Sequence, residues 1–231
     1  MKKRFATLIL GLISFSASAQ VWSAGGHFNG GMALGQLKTE AGDLFIPTLS
    51  GLFLYESRTA PVSLGLEFGY GIYGSKLERR SDFYQGFNDE LRLRRNNNIA
   101  TGMAVIRYQT NPSGTIRHFI EAKFGANYLY TRYKIRETIV SEENLEAAKD
   151  LENWTLAYGI GTGIQIPILA EPGLYIELKA NYQSTDGVRF LTKGDVRYEP
   201  FPEGGGDFVF ETRKAHFQQV IFSVGLMYIG L

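Results

Sequence analysis

Apolar and polar residues alternate with a period of two along most of the chain. That period puts successive side chains on opposite faces of a strand. Residues 62–75 show it best. Val62, Leu64, Leu66, Phe68, Tyr70 and Ile72 face one way, and Ser63, Gly65, Glu67, Gly69, Gly71 and Ser75 the other, with Tyr73 out of phase. Segments 27–37, 45–56, 116–133, 154–168, 174–183 and 217–231 follow the same rule. In 99–109 the alternation is weaker, Met103 and Val105 opposing Ala104, Ile106 and Tyr108. The pattern predicts eight strands.

The connections between them alternate in length. Ser57–Pro61, Thr110–Thr115 and Leu169–Gly173 are tight turns, each containing proline. The others run at about 38–44, 76–98, 134–153 and 184–215, and only the first of these is short. Short turns at one end and long loops at the other predict an all-β, eight-stranded antiparallel up-and-down transmembrane β-barrel, with both termini on the side of the tight turns. In the third loop, Ser141 is placed to cap a short helix with Glu142 and Glu143 in its first turn and Leu145, Ala148 and Leu151 along one face. In the fourth, Val188–Tyr198 and Asp207–Phe217 flank Pro202-Glu-Gly-Gly-Gly206 and are expected to pair as a protruding hairpin. Its free edge offers a strand to an extracellular partner.

Alternation alone also fits a soluble barrel that turns its apolar face inward around a ligand. Glycine on the polar face, suited to a narrow lumen, argues for the membrane form. So do aromatics near both ends of the apolar face: Phe53, Tyr55, Tyr108 and Tyr228 toward the turns, and Tyr70, Tyr128, Tyr130, Trp154 and Tyr182 toward the loops. The last strand ends Ser223-x-Gly225-x-x-Tyr228, which resembles the β-signal read by the barrel-assembly machinery, with Leu231 where a terminal phenylalanine is usual. On these features residues 20–231 resemble the outer-membrane protein β-barrel domain family, the OmpA/OmpX-type small barrels. The resemblance implies residence in a bacterial outer membrane among lipid and lipopolysaccharide.

The first residues belong to a processing segment. Lys2, Lys3 and Arg4 precede eleven residues of apolar character, Phe5 to Phe15, and Ala17-Ser18-Ala19 is an A-x-A cleavage site. Residues 1–19 are therefore expected to be a signal peptide. Eleven residues are too few for a transmembrane helix, which needs about 20, and no later stretch is long and apolar enough to serve as one. Removing the three basic residues takes the net charge from 24 − 23 = +1 to 21 − 23 = −2, which gives no footing for nucleic acid. The chain has no cysteine, so neither disulfides nor lipidation at the junction are open to it.

The candidate chemistry lies on the polar face. Glu67, Glu121 and Glu177 follow the three tight turns by four to seven residues, Lys123 and Lys179 lie two positions further on, and Arg107 sits near the turn end of its strand. Buried charges must be paired, so these six are expected to form an ion-pair network filling the lower lumen, or else to line an ion or proton route. His27, His118 and His216 have no metal-ligand spacing, and no cofactor motif is present. Gly159-x-Gly161-x-Gly163 lacks the helix of a nucleotide loop and reads as a small-residue lumen face. Residues 78–98 mix Arg79, Arg80, Arg92, Arg94 and Arg95 with Asp82, Asp89, Glu90, Phe83, Tyr84 and Phe87, a solvated loop or a contact for lipopolysaccharide. The leading expectation is a non-enzymatic barrel for envelope stability or surface interaction. The alternatives are a lipid A-modifying enzyme, using His216 near Ser184, Thr185 and Asp186, and a narrow small-molecule or ion conduit.

Overall fold

Long strands β1 (Gln20–Ala33), β2 (Phe45–Ser57), β3 (Val62–Arg80), β4 (Leu91–Gln109), β5 (Arg117–Arg136), β6 (Glu146–Pro167) and β7 (Leu174–Thr185) each pair antiparallel with the next. Four short strands follow: β8 (Gly187–Phe190), β9 (Val196–Pro200), β10 (Gly206–Phe210) and β11 (Arg213–His216). The last strand, β12 (Gln219–Ile229), then joins β7 to β1 and closes an eight-stranded barrel. This computed structural model describes residues 20–57, 60–81, 90–110, 115–136, 145–169, 171–201 and 206–230. The expected signal peptide, Asp82–Asp89, Ser141–Glu143, the Pro202–Gly205 tip and Leu231 lie outside them.

The phase of the alternation decides which face is outside. Leu64, Leu66 and Phe68 are 50–63% exposed, whereas Ser63 and Glu67 are buried. The apolar face is therefore external and the polar face internal, the reverse of a soluble ligand-binding barrel. Trp22, Tyr55, Tyr108 and Tyr228 ring the turn end, and Tyr70, Trp154 and Tyr182 the loop end. The pairs Val62↔Tyr108 and Tyr70↔Ala100 lie eight residues apart along β3 and β4. With strand rise and tilt, that separation is about 20 Å of height, close to the apolar band of a membrane barrel.

Gly125 shows how tightly the wall is built. A Cβ there would collide with the Gly102 carbonyl oxygen and lie 2.8 Å from the Met103 Cα, both backbone atoms of the adjacent strand. Gly125→Val is expected to lower unfolding stability by about 1–3 kcal/mol, read as a smaller heat-modifiable folded fraction on unboiled gels. An unchanged fraction would mean that the β4–β5 wall can yield.

Three expectations are corrected. The first strand begins at Gln20 and stops at Ala33; Gly35, with φ 52°, turns the chain into a short helix α1 (Gly35–Ala41). Residues 145–152 are not helical, because β6 starts at Glu146 and pairs with the top of β5, as in Lys134↔Ala147. Cross-strand pairing there overrides local helix preference. Likewise the second loop is mostly wall: β3 runs to Arg80 and β4 begins at Leu91.

The fourth loop pairs with itself, but it forms two short ribbons, β8·β11 and β9·β10, separate from the barrel sheet. The ribbon β8·β11 does not protrude. Val188, Phe190, Ala215 and Phe217 are buried against Leu37 of α1 and against Ile46, Tyr73, Ile99 and Leu129 of the upper wall. Val188 and Phe190 share one face of β8, Ala215 and Phe217 continue that face from β11 onward, and Ile46, Tyr73, Ile99 and Leu129 face inward from the wall at that height. Folding inward buries both surfaces. The loop is a lid.

Candidate functional site: a charge-filled lumen beneath a lid

Glu67 (β3), Arg107 (β4), Glu121 and Lys123 (β5), and Glu177 and Lys179 (β7) all point inward and meet. Arg107 stands directly opposite Glu121 in the β4–β5 register. Its Nη2 donates to Glu121 Oε2 at 2.8 Å and its Nη1 to Glu177 Oε2 at 2.7 Å. Lys123 Nζ lies 2.5 Å from Glu67 Oε2 and 2.9 Å from Glu121 Oε1. Lys179 Nζ lies 3.5 Å from Glu67 Oε1 and 3.6 Å from Glu177 Oε1. Three cations thus face three carboxylates, and every carboxylate touches two cations. Such mutual pairing is what lets charges remain in a narrow core.

Several partners were not singled out from the sequence. His27 Nε2 lies 3.0 Å from Glu177 Oε1, Gln165 Nε2 donates to Glu177 Oε2 at 2.8 Å, and the Ser50 hydroxyl donates to Glu67 Oε1 at 2.9 Å. The Arg107 guanidinium lies 3.7 Å from the centroid of the Phe119 ring. The phase of β1, with Ser23, His27 and Asn29 all buried, carried the signal for His27. Glycines give this set its room. On β6, Gly161 faces Glu121 and Gly163 faces Phe119, and a side chain at Gly163 would collide with the Phe119 ring. Gly225 lies between Glu177 and His27 in the sheet, so the two reach each other across it. Gly159, Gly161 and Gly163 are thus lumen-facing positions of a strand.

The lower lumen also holds the apolar side chains Leu52, Leu54, Val105, Met227 and Ile229. Above the network, Asn29, Ser50, Asn181, Gln183 and Gln219, with Glu67 and Lys123, line a cavity of about 50 Å³. Ile46, Ile99, Met103 and Ile221 line it too, and it is large enough for a few waters. The lid lies over it. Asn97 Nδ2 donates to the Leu191 carbonyl at 2.8 Å, fastening the loop to the wall. Arg213 donates to both oxygens of Asp195 at 2.7–2.9 Å, joining the two sides of the loop. Burial pushes the Asp195 carboxyl up, but its Arg213 and Thr192 hydrogen bonds outweigh that and hold it below its ordinary value.

His216 belongs to the lid. Its Nδ1 lies 2.8 Å from the Thr185 carbonyl, the Thr185 hydroxyl donates to the Asp186 carbonyl, and the Phe217 amide donates to the Thr185 hydroxyl. Thr185 is thus engaged in holding the start and end of the loop together. Among the described residues, no three His, Asp or Glu side chains are grouped to hold a metal ion. Of the loop arginines, Arg92 and Arg94 lie on the outer face, but Arg95 turns inward. It pairs with Asp150 at 2.8 Å and lies 4.7 Å from the Phe208 ring centroid.

No protein-family model matches the chain, and no curated protein matches its sequence. Solved structures do. A major outer membrane protein from Thermus thermophilus superposes with a TM-score of 0.51 at 12% identity, covering 92% of this chain and 100% of that one. Neisserial surface protein A gives a TM-score of 0.41 at 8% identity, covering 91% and 97%. Ail, the attachment invasion locus protein of Yersinia pestis, gives 0.40 at 12% identity, covering 92% and 99%. With its ring of eight antiparallel strands, apolar outside and charged within, the chain has the fold of the small outer-membrane β-barrels, the OmpA/OmpX type.

Proposed function

We propose that this chain is a non-enzymatic barrel of a bacterial outer membrane, exported on residues 1–19, that serves as a closed and rigid support for an extracellular surface. The observation that carries it is the double occlusion of the lumen, by the Glu67–Lys179 network below and the apolar lid above. An eight-stranded barrel has an interior that side chains just fill. The β-signal-like end fits insertion by the barrel-assembly machinery. The surface offered to an extracellular partner is the outer ribbon, β9·β10, where Val209 and Phe210 are exposed. His216 is occupied in lid contacts, which weighs against the lipid-modifying alternative.

The purified barrel in a planar bilayer is expected to show no stable unitary conductance. A large, steady conductance would overturn the closed-support reading in favour of the conduit.

A further inference from the structure

The walls β3, β4 and β5 rise well above the upper aromatic belt, and the charged side chains described on their outward face there are all cationic. The register sets Arg79 opposite Arg92 and Arg92 opposite Arg136. One row down, Arg94 faces Lys134; below that, Arg132 faces Lys149. Like charges directly opposite each other destabilise a sheet, and here they recur in three successive rows. Among the described residues, two carboxylates reach the edges: Glu90 lies 3.8 Å from Arg79, and Glu152 lies 3.1 Å from Lys149. Arg92, Arg94, Lys134 and Arg136, with Ser75, Leu77 and Asn96, line a surface groove of about 410 Å³. The Arg92 Nη1 is buried there without a hydrogen-bond partner among the described residues. The Arg132 guanidinium foremost, then slight burial, Arg136 and Arg94, hold the Lys134 ammonium below the ordinary lysine range.

We infer that this outward face is a docking site for the phosphorylated sugar headgroup of a glycolipid in the surrounding outer leaflet. It rests on the membrane placement proposed above. Position selects a lipid over a soluble partner. The cations project sideways from the wall, in the same direction as Tyr128 and Trp154, whose stacked rings lie 4.6 Å apart in the belt. Arg132 is four residues above Tyr128 and Arg136 eight, so the patch spans about 10–20 Å above the belt. That is where headgroup phosphates and charged core sugars stand. Lys149, 5.4 Å from the Tyr128 and Tyr130 ring centroids, forms its lower edge. Arginine forks suit phosphate oxygens, and a polyanion relieves the repulsion between the facing rows.

The test uses the full barrel in nanodiscs and three probes: bisphosphorylated lipid A, the same lipid A with both phosphates removed, and soluble polyphosphate. Retention is read by native mass spectrometry. The phosphorylated lipid is expected to be retained, with affinity falling as salt rises. Arg94→Gln with Lys134→Gln and Arg136→Gln should weaken it tenfold or more, whereas Lys193→Gln with Lys214→Gln on the lid should not. A smaller loss in the patch variant, equal retention of the dephosphorylated lipid, or preferential binding of polyphosphate would each overturn the inference. Heat-modifiable migration checks that the variant is folded; should it fail to fold, the phosphate and salt dependence of the unaltered barrel decides. A barrel that assembles in bilayers yet shows no phosphate-dependent retention sinks only the docking site, whereas one that does not enter bilayers sinks the membrane placement itself.

Discussion

Arg107→Met is expected to lower the unfolding free energy of the barrel by about 3–5 kcal/mol, read as a shift of the urea midpoint in lipid vesicles. Arg107 is fully buried and bonds Glu121 and Glu177 together. Methionine keeps much of the volume and the contact with Phe119 but leaves three carboxylates facing two ammonium groups. The cost comes from the excess buried charge, not from lost packing. The double variant Arg107→Met with Glu121→Gln restores two against two, and it should be more stable than Arg107→Met alone despite carrying a second change. If the double variant is the less stable, the charges act independently and the balance among the six is not what holds the lower lumen.

That network could be anticipated because three simple signals agree. Glu121 and Glu177 share an Ile before them and a Lys two positions on in Phe119-Ile-Glu-Ala-Lys123 and Tyr175-Ile-Glu-Leu-Lys179, the inward phase is set by alternation, and the distance from each tight turn sets the height. Phase and height together place a side chain in a barrel almost without three-dimensional information. Arg107 followed from the same rule, even in a strand whose alternation is weak.

The top of the barrel was less legible, for a physical reason. Ile46, Ile99 and Leu129 face inward but are apolar, so they blur the alternation where the wall leaves the membrane. They make sense only once Phe190 and Phe217 are laid against them, and those residues stand far away in the chain. Residues 145–152 failed differently. Alanines and charged residues favour a helix locally, yet the rising edge of β5 supplied a pairing partner. The basic face had the opposite fate. The arginines of 78–98 were visible as a mixed-charge loop, but only the register separates the outward Arg92 and Arg94 from the inward Arg95.

Phe190→Ala combined with Phe217→Ala is the complementary experiment at the mouth. Both rings are fully buried, and their centroids lie 5.9 Å apart at right-angled contact. Phenylalanine-to-alanine changes in a core cost about 3–5 kcal/mol each, more than one short ribbon held by wall contacts can withstand. The expected result is rapid protease cleavage between 187 and 217 while the barrel keeps its heat-modifiable form, since β7 and β12 remain paired from Tyr228↔Leu174 to Gln219↔Gln183. Conductance should still be absent, because the charged layer lies below and is untouched. Loss of the barrel itself would make the lid part of its folding core. Steady conductance from the lid variant alone would show that the lower network is porous and that the lid is the sole barrier.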